Sequence, residues 1–385
     1  MTFVGANVLA VRDFGIYALL FTGVTIVMGV ARALTSEVYT VLMTNERAPE
    51  RRRRQSQALG ASAALGGMVA GIGLLVGLGV GSLAVLVFAV ACVPVLVQDT
   101  VRFLLVSERR VRAAFVNDLV WVVIQFALLT VIVVGQYSSL PLLGASWGAG
   151  AAVAGLFGLK QLGVALNLRQ APVWFRDTRK YSGYYVLEFA ALAGSGYSIV
   201  YVVALIAGLG GAGAYRGAQA VYGPVTSLIG GLRMVALPAV VRSRERGRAE
   251  VVRLSMAFGG VVLAASIGIT GGIWFLRDWL VPLLLGATAA AAIQLIIPMG
   301  IGRALSSASS GPLLGLRALG ATSRSLATRA ALSLLTLGGA AVGAQLGGAV
   351  GAAWGFAAAS AVGCVVWTSM LSRQQLSIST IEERG

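Results

Sequence analysis

The residues best placed to do chemistry in this chain are arginines set inside apolar runs. Between 211 and 240, Arg216, Gln219, Gly223, Thr226, Gly230 and Arg233 follow one another at spacings of 3, 4, 3, 4 and 3. That period puts all six on one face of a helix. The motif has an earlier copy. Val24-Thr25, Gly29 and Arg32 recur 201 residues later as Val225-Thr226, Gly230 and Arg233, and the same offset relates Arg102 to Arg303. In the earlier copy Ala18, Thr22, Thr25, Gly29 and Arg32 share a register. An arginine near a bilayer centre costs about 2.5–3.5 kcal/mol on insertion scales, so it turns toward protein or a wet cavity. Guanidinium groups from two repeats lining one cavity would favour a phosphate-bearing or acidic substrate. Arg216 and Arg303 are the first candidates. Arg32, Arg102 and Arg233 come second, because they lie near span ends where arginine can snorkel to the interface. Arg102 also has a competing partner in Asp99, one turn away. Gln219, Thr226 and Thr25 complete the expected lining.

Other chemistries are poorly supplied. There is no histidine, which removes the usual general base and the commonest metal ligand. The 14 acids are scattered, with none paired at helical spacing inside an apolar run. The Gly-rich GLGGAG at 208–213 joins two apolar runs rather than a strand and a helix, so it is not read as a phosphate loop. No catalytic residue, metal or cofactor is expected. Cys92 and Cys364 sit in apolar runs and read as small hydrophobes. Asn117 and Asp118 stand where a run beginning near 115 would need a cap. Pro94, Pro224 and Pro298 fall inside runs and should kink them.

These residues need elements that hold polar groups within lipid. Hydrophobic residues make up 57% of the 385 positions and charged residues only 11%, against about 25% charged in ordinary soluble chains. Runs of roughly 20 apolar residues recur along the whole length, and in lipid such runs must be helices. The expected spans are 15–37, 58–80, 82–106, 115–135, 145–167, 184–207, 211–240, 251–275, 287–316, 326–346 and 348–371. The fold class is therefore an all-α polytopic membrane protein of about eleven spans.

Charge divides between the connections. Those after odd-numbered spans, with the tail, hold 22 of the 30 Lys and Arg, including Arg47 and Arg51 to Arg54. By the positive-inside rule the amino terminus is outside and the carboxyl terminus cytoplasmic, in the cell membrane. The net charge of +16 then reflects topology and anionic lipid, with Arg51 to Arg54 as the lipid contact. Nucleic acid is not an expected partner. Residues 1–11 look like the end of a helix whose start is missing, which points to a twelve-helix parent or a wrongly assigned start, and the 201-residue repeat relates two halves offset by six helices. Parallel repeats of this kind are a known transporter architecture. The organisation read from the sequence is a bundle over 1–167, a basic linker over 168–183, a second bundle over 184–371 and a tail over 372–385.

RDFGIYALL at 12–20, PVLVQDTVRFLL at 94–105 with NDLVW at 117–121, and AYRGAQAVYGPVTSLIGGLRMVALP at 214–238 resemble polysaccharide flippases of the multidrug/oligosaccharidyl-lipid/polysaccharide (MOP) exporter superfamily. The resemblance implies twelve helices around a central cavity and alternating access. It also implies export of a polyprenyl-diphosphate-linked oligosaccharide for surface polysaccharide. On that reading Arg216 and Arg303, with Arg32, Arg102 and Arg233, hold the diphosphate while the prenyl tail stays in lipid. The partners it implies are the lipid-linked glycan and a polymerase or glycosyltransferases of the same pathway, with the carrier itself monomeric. A drug or cation antiporter, a lipid II flippase, and a membrane-embedded polymerase or ligase are the alternatives.

Overall fold

The computed structural model describes residues 1–42, 48–137, 139–191, 195–319 and 322–382, with side chains at all of these except 48, 234, 235, 237, 322–326 and 374–382. Arg47 and Arg384 of the expected basic connections lie outside the described residues, as does the side chain of Arg324. The described residues contain helices and no strand. In chain order these are α1 (Thr2–Val8), α2 (Val11–Leu34), α3 (Ser36–Leu42), α4 (Ala48–Gly79), α5 (Leu83–Ser107), α6 (Val111–Val134), α7 (Leu140–Leu162), α8 (Ala171–Phe189), α9 (Ser195–Val221), α10 (Gly223–Arg242), α11 (Arg248–Phe275), α12 (Arg277–Leu285), α13 (Ala289–Ala308), α14 (Ser310–Ala318) and α15 (Thr322–Glu382).

Ten helical stretches among the described residues are long and apolar enough to cross a membrane. Two helices contain reversals. In α15, Gly347 and Gly348 leave helical geometry, with Gly348 at φ 58°, a conformation that costs glycine nothing. Beyond the turn the two arms lie backbone to backbone, Gly343 against Gly351 and Gly339 against Gly355. In α9, Gly208 adopts φ 77°, and Gly211 comes to lie beside Val203, eight residues earlier. A straight helix would separate those two by about 12 Å, so the chain folds back there. After the fold-back, residues 209–221 run on into α10 across a single break at Tyr222. Counted this way the described residues hold eleven helical arms, against the eleven spans expected, although the arm over 195–207 is shorter than the expected span 184–207.

The residues cluster into two compact units, one holding Phe3–Leu9 and Ile16–Tyr197, the other Ala10–Gly15 and Ser198–Gly385. In the first unit α5 is the central helix. Ser82 caps its start by accepting from the Val85 N–H. Fourteen of its 25 residues are buried, because α4 packs on one side and α7 on the other. Glycines make the close approach possible: Gly66 meets the Val93 backbone, Gly144 the ring of Phe88, and Gly148 Ala91. This is the packing expected in lipid, where contact rather than hydrophobicity drives helix association. A core of Tyr39, Leu59, Val101, Leu104, Leu105 and Trp174 closes one end of the unit.

In the second unit α13 packs against both α11 and α15. Gly302 sits under the Phe356 ring, and Gly311 of α14 against Gly259 of α11. Pro224 lies in the first turn of α10, directly after the break at Tyr222 that interrupts the expected span 211–240, a position where proline is tolerated. Pro94 and Pro298 stay inside α5 and α13. The residues expected as a basic linker form a short 3-10 turn at Leu168–Gln170 followed by α8.

Candidate functional site

The arginines of the first unit converge on one carboxylate. Arg32, at the end of α2, donates from Nε to Asp99 Oδ2 at 2.6 Å and from Nη2 to Oδ1 at 2.7 Å. This two-pronged geometry is the strong form of a guanidinium–carboxylate contact. Arg102 donates from Nη2 to Asp99 Oδ1 at 2.9 Å. Both guanidinium groups also lie 5.2 Å from the Phe103 ring centroid, which adds a cation–π contact to each. Asp99 is 4% exposed, a depth at which a carboxylate needs compensation of this kind. Arg102, expected to pair with Asp99, does so. Arg32 adds a partner 67 residues away that spacing could not reveal. Thr25 donates to the Phe21 carbonyl of its own helix at 2.8 Å.

A polar network continues from this cluster. Gln98 donates to Asn117 Oδ1 at 3.1 Å and to Asp118 Oδ1 at 3.0 Å. Asn117, fully buried, donates to the Ala154 carbonyl and to Gln161 Oε1. Asn117 is therefore no helix cap: α6 begins at Val111, seven residues earlier than a cap at 117 would require, and the amide ties α5, α6 and α7 together.

In the second unit the same register carries different chemistry. Arg303 of α13 donates from Nη1 to Thr226 Oγ1 of α10 at 3.0 Å. The Thr226 hydroxyl donates to the Tyr222 carbonyl at 3.0 Å, and the Tyr222 hydroxyl donates to the Ile296 carbonyl of α13 at 2.7 Å. Two contacts thus join α13 to the break before α10 and fix the guanidinium on the predicted stripe. Thr226 is exposed and Arg303 half-buried, so the pair is accessible. Farther back on the stripe, Arg216 donates to Gln219 Oε1 at 3.2 Å. Ten residues, about 15 Å of helical rise, separate Arg216 from Thr226. Arg233 lies two turns beyond Thr226 and is exposed; among the described residues no hydrogen bond or ion pair joins it to Arg303 or Arg216. Of the expected residues the fold brings together Arg303 with Thr226, Arg216 with Gln219, and Arg32 with Arg102 on Asp99.

The two repeats differ at one decisive position. The 201-residue offset sets Gly300 where the first unit has Asp99, and Tyr222 where it has Phe21. A Cβ on Gly300 would meet Thr270 and the Tyr222 hydroxyl, so no side chain fits there. The segments 195–242 and 289–318, which carry Arg216, Arg233 and Arg303, contain no Asp or Glu. In the first unit a carboxylate answers the paired arginines. In the second, the helices bearing the arginines bring no carboxylate with them, and one guanidinium N–H each of Arg303 and Arg216 goes to a neutral oxygen. Such donors suit an oxyanion arriving from outside.

No protein-family model matches the chain, and no curated protein matches it. Solved structures do. One is the inward-facing conformation of a multidrug resistance MATE family transporter of the MOP superfamily, 12% identical over 99% of this chain and 94% of that one, with a TM-score of 0.82. Another is the lipid II flippase MurJ in an inward closed conformation, 10% identical over 96% of this chain and 84% of that one, with a TM-score of 0.77. A third is a MOP superfamily transporter from Pyrococcus furiosus, described as having a binding pocket of reverse polarity, 13% identical over 95% and 88%, with a TM-score of 0.63. At this identity the likeness is one of architecture: the chain has the fold of MOP superfamily transporters.

Proposed function

We propose that this chain is an exporter of the cell membrane that moves a polyprenyl-diphosphate-linked oligosaccharide outward for surface polysaccharide, by alternating access. The reading takes the amino terminus as external and the basic connections as cytoplasmic. Its support is the MOP fold together with one observation, the Arg303–Thr226 contact that sets a guanidinium on an accessible polar stripe borne by acid-free helices. In this reading Arg303 and Arg216 hold the diphosphate, Thr226 and Gln219 orient the two guanidinium groups, and Arg233 adds positive potential.

Cation-coupled drug export is the main alternative within the fold. It calls for an intramembrane carboxylate ready to take a cation, and the buried carboxylate of the first unit, Asp99, is instead closed by Arg32 and Arg102. Lipid II carries the same diphosphate and would engage the same residues.

Binding tests the assignment directly. A charge-assisted hydrogen bond contributes about 1.5–3 kcal/mol. Arg303→Ala should therefore weaken binding of a polyprenyl diphosphate to the purified protein by about 10- to 100-fold. Arg216→Ala should weaken it in the same direction. Equal affinities for the parent and both variants would remove the diphosphate from these residues.

A further inference from the structure

The helix that follows the fifth span, α8, carries a surface that the transport chemistry does not use. α8 packs one face inward: Ala171, Trp174, Thr178 and Ser182 are buried. The Trp174 indole donates to the Leu34 carbonyl at 2.9 Å, and Asp177 on the flank accepts from Arg54 Nη1 at 3.0 Å. The opposite face bears Arg176, Arg179, Lys180, Tyr184 and Leu187, all exposed.

Its main stripe reads Arg176, Lys180, Tyr184, Leu187 at spacings of 4, 4 and 3. Over about 16 Å of helix it passes from cation to phenol to aliphatic. A bilayer shows the same sequence along its normal: phosphate, then the interfacial zone that tyrosine prefers, then hydrocarbon. A merely water-facing helix has no reason to end in a tyrosine that is 51% exposed and a leucine that is 64% exposed. The chain then runs on toward the apolar segment of α9.

The basic run on α4 makes the contrast clear. Arg51 pairs with Glu108, Arg53 with Glu50, and Arg54 with Glu50 and Asp177. Those charges, expected at lipid, are mostly committed within the protein. On α8, the one ion pair of Arg176 among the described residues is with its neighbour Asp177, at 3.6 Å. Among the described residues Arg179 and Lys180 have no ion pair.

We propose that the outward stripe of α8 is a binding surface for an anionic phospholipid. Arg176, Arg179 and Lys180 hold the headgroup phosphate, and Tyr184 and Leu187 lie along the glycerol and upper acyl chain.

The test uses the full chain in vesicles. In a Cys364→Ser background, Tyr184→Cys is labelled with a bimane fluorophore, and quenching by brominated phosphatidylglycerol is compared with quenching by brominated phosphatidylcholine. The expected result is quenching at a mole fraction of the anionic lipid at least twofold lower. Arg176→Gln with Arg179→Gln and Lys180→Gln should equalise the two lipids, since each charge is worth about fivefold near an anionic surface. Glutamine keeps helical propensity at these exposed positions, so folding is preserved. Arg176→Lys with Arg179→Lys should retain the preference. Equal quenching before the glutamine changes, a preference that survives them, or quenching by neither lipid would each overturn the proposal.

Discussion

A single carboxylate separates the two repeats in electrostatic character. Asp99 carries two guanidinium groups that retain 29% and 34% of their side-chain exposure. Removing one partner from a fully buried pair costs about 3–5 kcal/mol, and the partial exposure of the arginines screens some of that. Asp99→Asn should therefore destabilise the protein by about 2–3 kcal/mol. Arg32→Ala should cost less, because Asp99 keeps Arg102. Melting temperatures of the two variants in the same detergent check the order; a larger drop for Arg32→Ala would show that Asp99 is not the hub. Trp174, fully buried with its N–H satisfied by Leu34, anchors α8. Trp174→Ala should cost about 3–5 kcal/mol, read by the same melts.

Glycine pairs, not apolar burial alone, set the packing of the helical elements. Gly343 faces the Gly351 backbone, whereas nothing lies within 4 Å of a Cβ built on Gly338. Gly343→Ala should lower stability by about 1–3 kcal/mol through overpacking. Gly338→Ala should leave it unchanged or raise it by up to about 1 kcal/mol through helix propensity. Equal effects in a melting assay would contradict the close approach. The spans themselves were legible in the sequence, because a run such as 82–106 has only one way to satisfy its backbone in lipid. The stripe holding Arg216, Gln219 and Thr226 was legible from its period. The Arg32–Asp99 pair was not, since it depends on how α2 meets α5. Asn117 was misread as a cap because α6 starts about one turn earlier than its apolar run. The first part of α8, up to 183, was read as a linker because its charges lower its hydropathy, although Trp174, Thr178 and Ser182 at four-residue spacing marked a buried face.

At the scale of the whole molecule, charge is segregated twice. Basic connections alternate with neutral ones along the chain, and within the spans the arginines of one repeat are answered by Asp99 while the other repeat has Gly300 in its place. The first segregation predicts topology. With Cys364→Ser as background, Arg52→Cys should react with an impermeant maleimide only from the cytoplasmic side, and Val80→Cys only from outside; the reverse pattern would invert the direction of transport. The second segregation carries the proposed function, and translocation measures it most directly. In proteoliposomes loaded with a polyprenyl-diphosphate-linked oligosaccharide, the parent chain should move substrate across the bilayer, and Arg303→Ala with Arg216→Ala should slow that movement at least tenfold while leaving the protein folded. Translocation by the double variant at the parent's rate would contradict the account.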